Sequence, residues 1–112
     1  MVNFLCLCEQ VLLEEALHND LIEISNEAAE SYKDYEKQKG QKSIDQKFLH
    51  NALYSVLDEL RQRLRKVLVP FENNLKLKFP LNTPEGLDDF LFKKTKTYPG
   101  LKYLFSAFIK PL

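Results

Sequence analysis

The clearest hydrophobic pattern in the chain lies between residues 44 and 68. Apolar residues recur there at spacings of three and four positions, which is typical of the buried face of an α-helix. They are Leu49, Ala52, Leu53, Val56, Leu60, Leu64 and Val67. Ser43, with Gln46 three residues later, resembles a capping box at a helix start, and Pro70 cannot continue a helix. The pattern therefore predicts one helix from about residue 44 to residue 68.

The apolar positions of the first 39 residues, which include neither proline nor glycine, form two separate stripes. With 100° between successive helical residues, one stripe is Phe4, Leu5, Cys8, Val11, Leu12 and Ala16, and the other is Leu17, Leu21, Ile24, Ala28, Tyr32 and Tyr35. A straight helix would need two buried faces, so we expect a kink or short break at residues 18–20. Asp20 and Glu23 resemble a capping box for a new helix there. The alternative is one long helix whose ends contact different neighbours, which two chains could supply.

The link between these two segments is short. Gly40 follows Lys37 and Lys39, which is a helix C-terminus signature, and the link covers only residues 40–42. Such a link predicts an antiparallel helical hairpin of residues 20–39 and 44–68. Acidic residues of the first arm are then expected to face basic residues of the second. The acids are Glu23, Glu27, Glu30 and Asp34, and the bases are Arg61, Arg63, Arg65 and Lys66.

Two short helices are predicted after the hairpin. Thr83 and Pro84 form a helix start, with Thr as the N-cap and Pro in the first turn. A break at residues 98–100 precedes a second amphipathic stretch at residues 101–109. Residues 71–80 fit a strand or a helix face, but nothing else in the chain alternates as a partner strand would, so we favour an extended connector. The predicted fold class is all-α: a single domain, residues 1–112, forming a small bundle of four to five helices around the hairpin.

Composition supports this fold class and narrows the function. The chain has 112 residues, of which 45% are hydrophobic and 29% charged, an ordinary globular composition. No run approaches the roughly 18 apolar residues of a membrane-spanning helix. Two cysteines, Cys6 and Cys8, cannot form a disulfide framework. The first residues lack the basic region of a signal peptide, so the expected compartment is the cytoplasm.

Charge is distributed unevenly although the net charge is zero. Residues 1–36 carry nine acids and one base, which gives −8, and residues 37–112 carry seven acids and fifteen bases, which gives +8. We favour an acidic element that lies on a basic one, and the alternative is a basic surface for a polyanion.

Catalytic and metal-binding patterns are weak. Glu15 and His18 form one Glu-x-x-His pair, whereas a di-metal carboxylate bundle needs two such pairs and two further glutamates. Cys6 and Cys8 are too few and too close to form a zinc site. No phosphate-binding glycine loop or nucleophile motif occurs. A metal-dependent enzyme is therefore the most remote expectation, and no catalytic residue or cofactor is predicted.

The main expectation is a non-catalytic protein-interaction or regulatory module that self-associates or belongs to a larger assembly. Its apolar faces exceed what one hairpin core needs. The predicted protein-interface residues are Phe4, Leu5, Cys8, Leu12, Phe105 and Phe108. The alternative is a nucleic-acid-binding accessory subunit, whose phosphate contacts would be sequence-independent. Its predicted residues are Arg61, Arg63, Arg65, Lys66, Lys93, Lys94 and Lys96, with Tyr98 and Tyr103 as stacking groups.

Overall fold

The computed structural model describes the backbone of residues 4–110 and the side chains of residues 15–110. This part of the chain is helical and contains no strand. Three α-helices are α1 (Phe4–Gln38), α2 (Gln46–Leu68) and α3 (Pro84–Lys94). Two shorter segments are 3₁₀ helices: the first is Val69–Asn74 and the second, C-terminal one is Pro99–Leu104.

Helices α1 and α2 pack against each other. The ring of Tyr35, near the end of α1, lies 6.2 Å from the ring of His50, near the start of α2. Further along, Arg63 of α2 binds Glu23 and Glu27 of α1 at 2.7 Å and 2.9 Å. Of the predicted acid–base contacts between the arms, these two form. Exposed pairs of this kind contribute about 0–1 kcal/mol each, so they set the helix register more than the stability.

One hydrophobic core joins all three α-helices and the C-terminal segment, which is residues 99–110. Its fully or nearly fully buried members from α1 are Leu21, Ile24 and Ala28. Helix α2 contributes Leu57, Leu60, Leu64 and Leu68, and α3 contributes Leu87, Phe90 and Leu91. The C-terminal segment adds Leu101, Leu104 and Ile109. Burying apolar surface stabilises a folded protein by about 25 cal/mol per Å². This core therefore makes the main contribution to stability.

The break predicted at residues 18–20 is wrong, because α1 continues without interruption from Phe4 to Gln38. The capping residues Asp20 and Glu23 lie inside the helix instead of starting a new one. Leu17 packs against the core, and Leu21 and Ile24 are buried in it. These packing contacts keep the backbone helical across residues that favour caps in isolation, because tertiary burial outweighs local propensity.

The start of α2 also differs from the predicted capping box. Asp45, not Ser43, is the N-cap, and its carboxylate accepts hydrogen bonds from the N–H groups of Lys47 and Phe48. Gln46 closes the link, where its side chain accepts from the N–H of Gly40 and donates to the carbonyls of Gln41 and Ile44. Gly40 has a φ of +86°, which glycine adopts without steric cost.

The end of α2 and the start of α3 agree with the predictions. Helix α2 ends at Leu68, and Thr83 caps α3 by accepting from the N–H of Gly86. Between them, the first 3₁₀ segment is followed by residues 75–80, which form neither a helix nor a strand. Leu75 and Leu77 pack against the core, whereas Lys76 and Lys78 are exposed. Residues 75–80 are thus an irregular connector, but the predicted extended backbone does not hold at Leu75, which is in the αR region, or at Lys76, whose φ is +50°. For residues 71–74 the prediction of a connector is wrong.

The helix predicted at residues 101–109 is confirmed only for residues 101–104, as 3₁₀ helix, and is wrong for residues 105–109. The C-terminal 3₁₀ segment ends at Leu104, and Phe105 has an extended backbone, with φ −60° and ψ 136°. The change of direction at Phe105 brings Ile109 against α2 and buries it. A continuous α-helix would turn Leu104 and Ile109 about 140° apart, so the extended residue lets both enter one core.

Candidate interaction surfaces

The predicted protein-interface residues fall into two groups. Phe4, Leu5, Cys8 and Leu12 lie outside the described side chains, although their backbone belongs to α1. Phe105 is half-buried and packs against the core. Phe108 is 44% exposed and contacts the rings of Tyr32 and Tyr103, at centroid distances of 5.4 Å and 5.7 Å. The two C-terminal phenylalanines therefore fasten the end of the described chain to the body of the protein.

Tyr32 is the centre of this aromatic cluster. Its ring stacks on Tyr103 with centroids 4.4 Å apart and planes inclined by 15°. A side-chain hydrogen bond to the Glu36 carboxylate, together with desolvation and the charge of Glu36, raises the pKa of Tyr32 to about 12. The phenol is consequently neutral at physiological pH and acts as a hydrogen-bond donor, not as an acid–base group.

The three arginines of the predicted nucleic-acid interface all have partners within the protein. Arg61 is only 5% exposed, forms an ion pair with Asp88 at 2.8 Å and donates to the carbonyl of Leu104. Arg63 binds the two α1 glutamates described above. Arg65 donates to the carbonyl of Leu81 at 3.0 Å and to the side chain of Gln62 at 2.5 Å. Their guanidinium groups are thus engaged in holding α2 to its neighbours.

Asp88 is the acidic partner of Arg61. Sequence spacing does not reveal this pair, because 27 positions separate the two residues. Burial alone would raise the pKa of Asp88. Hydrogen bonds from the Ser106 hydroxyl, Arg61 and the Ser106 N–H, and the positive charge of Arg61, outweigh that effect and lower the pKa below its ordinary value. Asp88 therefore stays ionised and ties α2 to the C-terminal segment.

Tyr98 and Tyr103, the tyrosines predicted to stack on nucleic-acid bases, contact other residues of the protein. Tyr98 is 9% exposed and its hydroxyl contacts Nδ1 of His18, which places that histidine at the junction of α1 and the C-terminal 3₁₀ segment. Tyr103 is covered on one side by Tyr32. The four lysines of the predicted nucleic-acid interface are more accessible than the tyrosines. Lys66, Lys93 and Lys96 are exposed, and Lys94 is half-buried.

Exposed lysines and phenylalanines lie on α3, just after it, and on the connector that precedes it. We call this group the lysine–phenylalanine surface; it consists of Lys76, Lys78, Phe79, Phe92, Lys93 and Lys96. Phe92 is 75% exposed and Phe79 is 50% exposed. The sequence analysis missed both phenylalanines as surface residues. For Phe92 the sequence does contain a signal of exposure, because this residue lies outside the helical face that Leu87, Phe90 and Leu91 define.

A groove of about 200 Å³ runs between α1 and α2 near the Gly40 link. Apolar residues of α2 and polar residues of α1 line it. The lining residues are Leu49, Ala52, Leu53 and Val56 from α2, and Ser31, Asp34, Tyr35 and Gln38 from α1.

Two further observations concern the described part of the chain. No three or more histidine, cysteine, aspartate or glutamate side chains between residues 15 and 110 converge on a point that could hold a metal ion. No helix among the described residues is long and apolar enough to cross a membrane. Glu15 and His18, the half-motif noted in the sequence, thus lie without further ligands in this region.

Comparison with known proteins gives no relative. The sequence matches no protein-family model, and neither a curated protein nor a solved structure is significantly similar to it.

Proposed function

We propose that this chain is a non-catalytic interaction module that associates with a second copy of itself through the N-terminal half of α1. One observation supports the proposal most directly, namely that α1 is a single helix from Phe4 to Gln38. In this proposal α1 and α2 form an antiparallel hairpin, which is the scaffold of a small bundle, and the first four turns of α1 provide the contact.

The helical period separates the two apolar stripes of α1. Leu21, Ile24 and Ala28 are 3% exposed or less and face the protein's own core. At 100° per residue, the stripe that runs from Phe4 to Ala16 is centred roughly 180° away from them. Ala16, the one member of that stripe whose side chain is described, is exposed. Without a break in the helix, the two stripes cannot enter the same core, so the second stripe needs another partner.

The charge distribution favours a second copy as that partner. The segment with −8 and the segment with +8 belong to the same chain of zero net charge. Two copies related by a twofold axis can place each acidic segment near the basic segment of the other. Interfaces of symmetric dimers are usually self-complementary in this way. The opposite charges of the two segments would then attract each other across the interface.

The proposal predicts that Leu12→Asp weakens self-association at least about tenfold, because an apolar contact is lost and a charge enters the interface. Sedimentation velocity over a wide concentration range measures the effect, and circular dichroism checks that helicity is kept. The matched control is Gln10→Asp, which adds the same charge to the same helix roughly 160° around from Leu12. A wild-type protein that stays monomeric at every concentration contradicts the proposal, as does equal weakening by both variants.

A further inference from the structure

We propose that the lysine–phenylalanine surface binds the anionic headgroups of a lipid bilayer, with the chain lying on the membrane and not crossing it. The surface shares no residue with the N-terminal half of α1, and the proposal does not depend on self-association. It rests on how the connector is held against α3, on the excess of positive charge, and on two exposed phenyl rings with no evident role in the fold.

Specific contacts hold the connector against α3. The N–H of Lys78 donates to the Asp89 carboxylate at 3.2 Å. The ammonium of Lys93 lies 3.5 Å from the same carboxylate and donates to the carbonyl of Lys76 at 3.5 Å. Asp89 therefore fixes the connector from beneath, and its side chain is only 15% exposed. Lys76, which has a φ of +50°, is turned into this arrangement by a backbone conformation that is uncommon outside glycine.

The charge of the surface is strongly positive. Lys76, Lys78, Lys93 and Lys96 are exposed, and Asp89 is the carboxylate already bound by Lys93. Of the other acids, Glu85 lies in the first turn of α3, about two turns before Lys93, and Glu72 accepts from the N–H of Leu81. Each lysine near an anionic bilayer strengthens binding about fivefold, so the group as a whole provides substantial affinity.

The two phenylalanines distinguish a bilayer from other polyanions. Phe92 is the most exposed of the large apolar residues between positions 15 and 110, and neither Phe92 nor Phe79 has an aromatic neighbour in that range. Phenyl rings beside lysines are the usual side chains with which peripheral proteins enter the headgroup region. Nucleic acids favour arginines and free stacking rings, and in this protein Arg61 is buried and Tyr103 is already stacked.

The test is cosedimentation of the full chain with phosphatidylcholine vesicles that contain or lack phosphatidylserine. We expect binding only to the phosphatidylserine vesicles, with weaker binding as salt increases. Phe92→Ser should weaken binding about tenfold or more, and Lys78→Gln with Lys96→Gln should weaken it about 25-fold. Neither of these two lysine side chains forms an ion pair or hydrogen bond among the described residues, so the fold is expected to be kept.

Matched controls come from the start of α2, away from α3. Phe48 is 72% exposed, nearly as much as Phe92, and Lys42 and Lys47 are exposed near it. Phe48→Ser and the pair Lys42→Gln with Lys47→Gln should leave vesicle binding unchanged. Equal loss in test and control variants overturns the proposal, because it would indicate attraction of overall charge alone. Absence of binding to phosphatidylserine vesicles overturns it too, and binding of single-stranded oligonucleotides in their place would assign the surface to nucleic acid.

Discussion

Replacing Asp88 by alanine is expected to lower the free energy of unfolding by about 3 kcal/mol, within the range for breaking a buried ion pair. The physical reason is the position of Arg61, which is only 5% exposed on the inner face of α2. In the variant its guanidinium would keep the carbonyl of Leu104 as an acceptor but lose the carboxylate at 2.8 Å. We place the effect near the lower end because the Asp88 side chain retains 25% exposure, which lets water replace part of the interaction.

The same substitution also releases the C-terminal segment. Asp88 accepts hydrogen bonds from the N–H of Ser106, at 3.1 Å, and from the Ser106 hydroxyl. One carboxylate thus connects α3, α2 and the chain that follows the C-terminal 3₁₀ segment. Urea unfolding followed by circular dichroism measures the loss. Arg63→Ala is the matched control, since it removes two exposed pairs of the same type and should cost no more than about 2 kcal/mol.

The pH dependence of stability tests whether the charge of Asp88 causes the loss of stability in its variants. Because the pKa of Asp88 is lowered on folding, its ionised form stabilises the folded state fully above the ordinary value of 3.8. That stabilisation disappears as the pH falls through the lower, folded-state pKa. Asp88→Asn should therefore be less stable than wild type at neutral pH, with the difference shrinking in acid. A difference that is constant with pH would contradict an electrostatic role.

Local sequence signals predicted the parts of the fold that local physics determines. The end of α2 before Pro70 and the start of α3 at Thr83 depend on proline geometry and on a side-chain cap, and both were correct. The break at residues 18–20 was not, because the helix there is held by distant partners in the core. The same holds for residues 101–109, whose path follows from the packing of Leu104 and Ile109.

The candidate surfaces were less predictable from sequence than the helices. Sequence identifies Arg61, Arg63 and Arg65 as one basic cluster, but their roles depend on acceptors 16 to 43 positions away or on the other arm. Pattern analysis assigns Phe79 to an alternating stretch, and its exposure follows only from how the connector crosses α3. Surface composition is thus a property of the folded arrangement. The lysine–phenylalanine surface could be found only after the core was known.

Replacing Gly100 by alanine is expected to destabilise the protein by about 3 kcal/mol, at or above the upper end of ordinary overpacking. A Cβ at this position would lie 2.0 Å from the carbonyl oxygen of Ser25 and 2.6 Å from its hydroxyl oxygen. Ser25 belongs to α1 and is itself only 5% exposed. The contact therefore involves backbone of two packed elements, and neither can yield without moving Leu101 out of the core.

The matched control is Gly40→Ala, measured in the same urea titration. Gly40 has open space around its missing Cβ but a φ of +86°, so alanine there costs about 1 kcal/mol through backbone strain alone. We expect Gly100→Ala to cost more stability than Gly40→Ala. The difference distinguishes two uses of glycine, namely close approach between the C-terminal 3₁₀ segment and α1, and a left-handed turn at the link. If Gly100→Ala costs no more than Gly40→Ala, the C-terminal segment can shift away from α1. The contact at Ser25 would then not be what positions Tyr98 against His18.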